Sequence, residues 1–324
     1  MEKNLKNITS CIEKDLEDFE QRFSKCLSDK EDSTLHQILR YAFDMKGKRI
    51  RPVLAMLVAG GLGQITEQTK RASLIVELLH MASLLHDDVL DNSNKRRGKQ
   101  TINSLWGNHV AILVGDYMYG RALSLINTRE DFNLMPIYAK IAMDLPKGEI
   151  DEMESTEKTD TSVETYLKVI YNKTASLIEA SVLAGLVSSA ADAKYEEQIR
   201  ELGKSIGIAY QIKDDMLDYK NNTGKQQGID IQEKKITLPL IYFLEQSSET
   251  DKEKILEFVY SDKKTQEETD SFVARISQSE AMKKVEADLE YHSRKALQIA
   301  ESLPQNAYTM ALTQLVQYLI FREF

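Results

Sequence analysis

The sequence predicts an all-α fold, and three observations carry that expectation. Apolar residues recur mostly at spacings of three and four, the period of an amphipathic helix. Only 14 glycines and 5 prolines interrupt 324 residues, few for that length. No Pro/Gly/Ser-rich linker or low-complexity segment breaks the chain, so one large domain spanning 1–324 is expected.

Composition excludes several functions. A formal net charge of −9 is wrong for a phosphate-backbone binder, so nucleic acid is not an expected partner and local basic clusters must serve a smaller anion. The two cysteines, Cys11 and Cys26, lie in a charged N-terminal helix without metal-ligand spacing, which fits a reducing compartment. The opening Met1-Glu2-Lys3-Asn4 has no signal-like apolar region, and apolar runs such as 53–63 are too short to span a bilayer. A cytoplasmic protein without a transmembrane segment is expected.

In chain order, the first helix is expected over 8–27, with Ile12, Leu16, Phe19 and Phe23 on one face. A polar turn at 28–33 leads to a helix from about Leu35, broken at Lys46-Gly47-Lys48-Arg49-Ile50-Arg51-Pro52. Four cations in six residues around a glycine form an anion cradle near a helix N-terminus, with Pro52 well placed as the first residue of the next helix. A long helix follows over 66–92, then helices at 111–126 and 136–143, and the acidic run 151–157 reads as a solvated face, with a further metal site as the alternative. Thr161 and Glu164 form a capping-box pattern opening a helix through Lys173 towards Leu186. An apolar helix runs from Ile199 to about Asp218. After it, the glycine- and lysine-bearing loop 224–235 precedes a helix opened by Thr237, and such loops commonly close over phosphate. Residues 249–290 are strongly charged with weak periodicity and read as peripheral helices; a break at Leu303-Pro304 precedes the last helix, 308–321.

The chemistry concentrates in two acidic boxes, His86-Asp87-Asp88-Val89-Leu90-Asp91 and Lys213-Asp214-Asp215-Met216-Leu217-Asp218, each closing an apolar helix. Helical spacing stacks Asp87 and Asp91 on one face with Asp88 on their flank. The C-terminal end of a helix is unfavourable for carboxylates, and carboxylates this close repel unless cations lie between them. Magnesium suits such a place, because it takes one or two carboxylates and completes its shell with water and phosphate oxygens. A single box is an ordinary solvated helix face. Two boxes, each followed by basic and glycine residues, point to two halves of one metal site. His80 lies two turns before Asp87 on its face, whereas His86 reads as a bystander or a supporting group. Lys95-Arg96-Arg97-Gly98-Lys99 then offers two planar guanidinium forks pointing in different directions, suited to two phosphate groups.

Together these stretches resemble the trans-isoprenyl diphosphate synthases, the polyprenyl synthetase family. GKRIRP, ELLHMASLLHDDVLDNSNKRRG, LVGDYMYGRA, KTASLIEA, YQIKDDMLDY and GKQQGIDIQEKKITLPLIY occur in family order from Gly47 to Tyr242. The resemblance implies an isoprenoid synthase-type bundle of ten or more helices around a deep central cavity, usually a homodimer. It implies a prenyltransferase that ionises an allylic diphosphate, farnesyl or geranylgeranyl, and lets the double bond of isopentenyl diphosphate attack the cation. It implies Mg2+, three ions per site bridged by the diphosphate. By the same resemblance Asp87, Asp88 and Asp91 hold metal on one side, and Asp214, Asp215 and Asp218 on the other, the last through water. Arg96, Lys173 and Lys225 hold the allylic diphosphate with Lys235 assisting. Lys48, Arg51, His80 and Arg97 hold isopentenyl diphosphate, with Arg322 a further candidate. Thr174 and Gln211 face the developing cation. Lys46 and Lys234 stand where the family often has glycine, which keeps the cradle's charge but puts the closure of the phosphate loop in question.

Residues about one turn before Asp87 point down the cavity, and here they are the small Ser83 and Ala82. The expected product is therefore a long all-trans polyprenyl diphosphate, of the kind used for quinone side chains and handed on to a membrane, with Tyr117, Tyr119 and Leu123 as candidate floors. The alternatives are a farnesyl or geranylgeranyl synthase, the catalytic half of a two-component synthase, a non-catalytic subunit, and an all-α phosphohydrolase using His80 and His86-Asp87. The last would need neither the second box nor the RRG stretch.

Overall fold

The computed structural model describes residues 2–28, 33–45, 47–159, 161–220 and 227–321. Its helices are α1 (Glu2–Ile8), α2 (Glu13–Cys26), α3 (Thr34–Asp44), α4 (Ile50–Leu62), α5 (Glu67–Leu90), α6 (Ile102–Trp106), α7 (Asn108–Ser124), α8 (Met135–Glu157), α9 (Val163–Ile170), α10 (Ser176–Val187), α11 (Glu196–Leu217), α12 (Ile229–Gln232), α13 (Leu238–Glu245), α14 (Glu249–Tyr260), α15 (Gln266–Ser277), α16 (Glu280–Ser302) and α17 (Ala307–Phe321). A five-residue π-turn, Tyr171–Ala175, joins α9 to α10. The fold is all-α, as the spacing of apolar residues predicts. The exception is a hairpin of two-residue strands, β1 (Lys95–Arg96) and β2 (Lys99–Gln100). Its turn residues Arg97 and Gly98 have φ of 52° and 77°, the positive pair that a tight two-residue hairpin requires.

Four helices form the interior. Residues 72–79 of α5, 52–59 of α4 and 176–186 of α10 are buried without interruption, so these stretches are covered on every side. α5 packs against α4, α7 and α10, while α11 packs against α10 and α16. α11 serves two cores: Ile199, Leu202, Ile206 and Ala209 belong to one with α4, α5 and α10, and Ile208, Ile212 and Met216 to another with α13, α15 and α16. Burying each such side chain contributes about 1.5–3 kcal/mol, so the direction of α11, and of the box at its end, is set from both sides. α5 begins at a reciprocal cap in which Thr66 and Thr69 each accept the other's backbone N–H, an arrangement that contributes about 1 kcal/mol.

Three boundaries differ from expectation. Pro146 does not end a helix: α8 runs through it for 23 residues, because its packing outweighs the one lost N–H bond. Ser162, not Thr161, caps α9, its hydroxyl accepting from the Thr165 N–H at 3.2 Å. Helix α4 starts at Ile50, two residues ahead of Pro52, from Arg49 at φ 51°. Among the described residues, no helix is long and apolar enough to cross a membrane.

Gly148 of α8 lies against the π-turn, where an added Cβ would sit 2.8 Å from the Lys173 backbone nitrogen and 2.9 Å from Asn172 Cβ. A mid-helix glycine-to-alanine change ordinarily stabilises by about 1 kcal/mol. Here overpacking against backbone reverses the sign. Gly148→Ala is expected to lower stability by about 1–3 kcal/mol in denaturant unfolding; a gain would show that the π-turn yields freely.

Candidate active site

α5 and α11 end at one cavity of about 1220 Å³. Asp87 enters it from α5 and Asp214 with Gln211 from α11. Lys173 and Thr174 come from the π-turn, Lys48 and Arg51 from the start of α4, His80 from α5, and Arg96 and Arg97 from the hairpin. A neighbouring cavity of about 380 Å³ shares Lys173, Thr174, Gln211 and Asp214 and adds Asp215, Asp218 and Lys235. A third, of about 320 Å³, shares Asp87 and Ser83 with the first and has largely apolar walls. Lys225 and Arg322 lie outside the described residues, as does Lys46.

The six aspartates are not equivalent. Asp88 is buried and turned aside: Arg96 Nε donates to its Oδ1 at 2.8 Å, and it does not line the cavity of Asp87. Three carboxylates of the first box therefore do not converge, because Asp88 lies on the flank of α5 that faces the hairpin. Asp91 caps α5, with its Oδ1 3.8 Å from Lys235 Nζ, so a cation from beyond the second box reaches the first. Asp218 accepts the backbone N–H groups of Ile229 and Asp230 at 3.1 and 3.0 Å, anchoring the return of the loop that follows the box. Asp215 is gripped at both oxygens, by Tyr166 Oη and by Gln211 Nε2, each at 2.7 Å. Gln211 Oε1 in turn accepts from Thr174 Oγ1 at 2.8 Å. With its proton committed to Gln211, Thr174 can offer the cavity only oxygen lone pairs.

The basic end separates in the same way. Arg49 lines the cavity beside Lys48 and Arg51, but its guanidinium is engaged by the fold, bonded to Glu20 at 2.9 Å and Glu77 at 2.8 Å and stacked 4.8 Å over Phe23. Arg97 Nη1 donates to the Met45 carbonyl at 2.9 Å and lies across Gly47, where any Cβ would come within 2.6 Å of it. Burial holds Arg51 below its usual range, helped by Arg97, and its buried Nε has no protein partner. Burial and the guanidinium groups of Arg51, Arg97 and Arg96 push His80 well below its ordinary value, so it is neutral at pH 7. An orphaned guanidinium donor beside clustered cations is a place made for an anion.

Sequence reasoning missed several groups. Glu152, read as solvated, holds Lys173 Nζ at 2.6 Å, and Glu149 holds it at 3.0 Å. Both lie four or fewer residues from Gly148, and their facing a lysine on another helix left no mark in the local spacing. Asp230 is a half-buried carboxylate beside Asp215 and Asp218; desolvation raises it, and the charge of both neighbours adds to the rise. His86, expected as a bystander or a supporting group, stands in the wall of the apolar cavity. Its Nε2 lies 3.1 Å from the Ile112 carbonyl and its ring 5.9 Å from Tyr119, and both side chains line the apolar cavity. Of the candidate floors, Tyr119 is there. Leu123 is 42 % exposed, Tyr117 packs against the core, and Ala82 is fully buried away from the cavity.

Burial raises Asp87 to about 7, with Glu149 adding to it, and raises Asp215 to about 7, with Asp214 and Glu152 adding. Burial thus disfavours the charged form of two carboxyls in the site, a cost that divalent ions beside them would offset. Among the described residues, no three His, Cys, Asp or Glu side chains converge tightly enough to hold an ion alone. Opposite charges divided across one cavity, with an apolar annex beside it, suit an enzyme that handles an anionic group joined to an apolar tail.

The Polyprenyl synthetase family profile matches residues 32–276. The octaprenyl diphosphate synthase of Haemophilus influenzae is 34% identical over 281 residues, covering 86% of this chain and 85% of that one. A decaprenyl diphosphate synthase structure from Rhodobacter capsulatus superposes with a TM-score of 0.92 at 26% identity, over 98% of this chain and 100% of that one. A polyprenyl synthase from Caulobacter crescentus, solved with calcium and isoprenyl diphosphate, gives 0.88 at 27% identity over 98% of each chain. The chain belongs to the polyprenyl synthetase family and is a trans-prenyltransferase.

A carboxyl raised from 3.8 to about 7 on folding binds its proton more tightly in the folded state. Its favourable contribution is therefore complete below pH 3.8 and lost as pH climbs through 7. In chelator, Asp87→Asn is expected to melt above the wild type at about pH 8, by a margin that narrows as pH falls through 7 and closes only below about pH 3.8. An equal offset at both pH values would show that Asp87 is not raised.

Proposed function

We propose that the protein joins isopentenyl diphosphate repeatedly to an allylic diphosphate, giving a long-chain all-trans polyprenyl diphosphate. The observation that carries this is the single cavity in which carboxylates from both helix ends meet two sets of cations. Lys173, Lys235 and the hairpin arginine Arg96 hold the allylic diphosphate near Asp87, Asp91 and Asp214. Lys48, Arg51, Arg97 and the neutral N–H of His80 hold isopentenyl diphosphate. Asp87, Asp91 and Asp214 with Asp215 would hold magnesium, which would supply positive charge against that developing on the leaving diphosphate. Thr174 and Gln211 turn oxygen dipoles to the allylic cation. Its attack by the isopentenyl double bond, followed by proton loss, adds one unit.

Long products fit the small Ser83 beside the apolar annex, and fit relatives named as octaprenyl and decaprenyl synthases. The chain is taken as one domain, since α11 is shared by both cores. A homodimer is supported by an apolar face on α7 and α8, where Leu113, Met143 and Ile150 are 66%, 64% and 56% exposed. A cytoplasmic setting agrees with the two free cysteines.

The purified protein alone, given magnesium, labelled isopentenyl diphosphate and farnesyl diphosphate, is expected to yield a ladder ending in one dominant product beyond twenty carbons. Products that stop at fifteen or twenty carbons would sink the long-chain assignment, and silence from folded protein would point to a required second component. Ser83→Phe, which narrows the entry to the annex, is expected to shorten the dominant product; an unchanged ladder would place the growing chain elsewhere.

A further inference from the structure

We infer that Tyr166 is a positioning residue for the second acidic box, fixing the Asp215 carboxylate in the orientation in which it serves the metal. This rests on the proposed reading of Asp215.

Tyr166 stands on α9, an element that the acidic boxes and basic clusters of the sequence do not touch. Its hydroxyl donates to Asp215 Oδ2 at 2.7 Å, and that oxygen's partner Oδ1 takes the Gln211 N–H at 2.7 Å. Gln211 lies one turn before Asp215 on the same helix, so it moves with α11. Tyr166 is the anchor from a different element. Its ring is 5% exposed and packed in the second core with Ile170, Ala175, Ile208 and Ile212, which leaves the phenol little freedom to follow a moving carboxylate. Asp215 is itself only 7% exposed. The carboxylate is thus held between a donor on its own helix and a donor on a neighbour. Without the neighbour it can rotate about its Cβ–Cγ bond while keeping the Gln211 bond. Donors of this kind behind a metal-binding carboxylate typically change metal affinity by about 10–100-fold when removed.

Tyr166→Phe removes one oxygen and keeps the ring that the core packs against. The test is uptake of manganese, read by its electron paramagnetic resonance signal, by the full chain with inorganic pyrophosphate present. Tyr166→Phe is expected to bind manganese about tenfold or more weakly, with a circular dichroism melt close to that of the wild type. In an Asp215→Asn background the same change is expected to cost nothing further, because the effect passes through Asp215. Replacing Tyr166 with 4-aminophenylalanine, which restores an N–H donor at that place, is expected to recover binding. Undiminished manganese uptake by Tyr166→Phe, a further loss in the Asp215→Asn background, or no recovery with the amino analogue would each overturn the inference. Wild-type protein that takes up no manganese with pyrophosphate would instead overturn the metal-site reading beneath it, and the inference with it.

Discussion

Two negatively charged helix ends face each other across a cavity, and the architecture answers to that repulsion. Two unit charges about 4 Å apart repel by roughly 4 kcal/mol at the effective dielectric of a protein surface, and the C-terminal helix dipoles add to it. α5 and α11 keep their ends in place because long stretches of both are locked into the interior. Within each box the load is then divided. Asp88 is given to Arg96, Asp218 to two backbone N–H groups, and Asp215 to Tyr166 and Gln211.

The lysine and threonine between the boxes sit on a different device. At Tyr171–Ala175 the helix widens to a π-turn, an arrangement found mostly at functional sites. The wide turn is bolted from behind: Tyr171 Oη donates to the buried Glu179 at 2.8 Å, and Arg200 holds the other carboxylate oxygen at 2.7 Å. Lys173 then lies between Glu149 and Glu152, so in the absence of a diphosphate its charge is balanced by protein carboxylates. On the proposed function, binding a diphosphate exchanges one set of anions for another, which costs less than desolvating a bare ammonium group.

What was legible in the sequence follows from periodicity and charge. The helical spacing gave the all-α class, and the two apolar-then-acidic runs located the ends of α5 and α11. The basic turn and hairpin were visible as clusters, but their internal division was not. That Arg49 is paired within the fold while Arg51 keeps an unpartnered Nε depends on Glu20 and Glu77, which are distant in sequence. Glu152 looked solvated because only the tertiary approach of Lys173 makes it otherwise. Asp88 shared every local feature of Asp87, and the difference between them is set by where Arg96 arrives. Local pattern fixes which residues can reach a site; contacts between distant elements decide which of them do.

The apolar annex has a wall that is itself exposed: Leu90, Ile112, Ile150 and Met153 are 45%, 40%, 56% and 49% accessible. A prenyl tail gains about 0.8 kcal/mol for each methylene-sized group it removes from water, and it gains that only while the wall beside it is dry. On the proposed function, product length is then a partition limit, reached where the next unit finds no more shelter along the wall than in solvent. A solid plug would act as a ruler, indifferent to its surroundings. An open wall makes length answer to whatever covers it, whether protein, lipid or the tail of an earlier product.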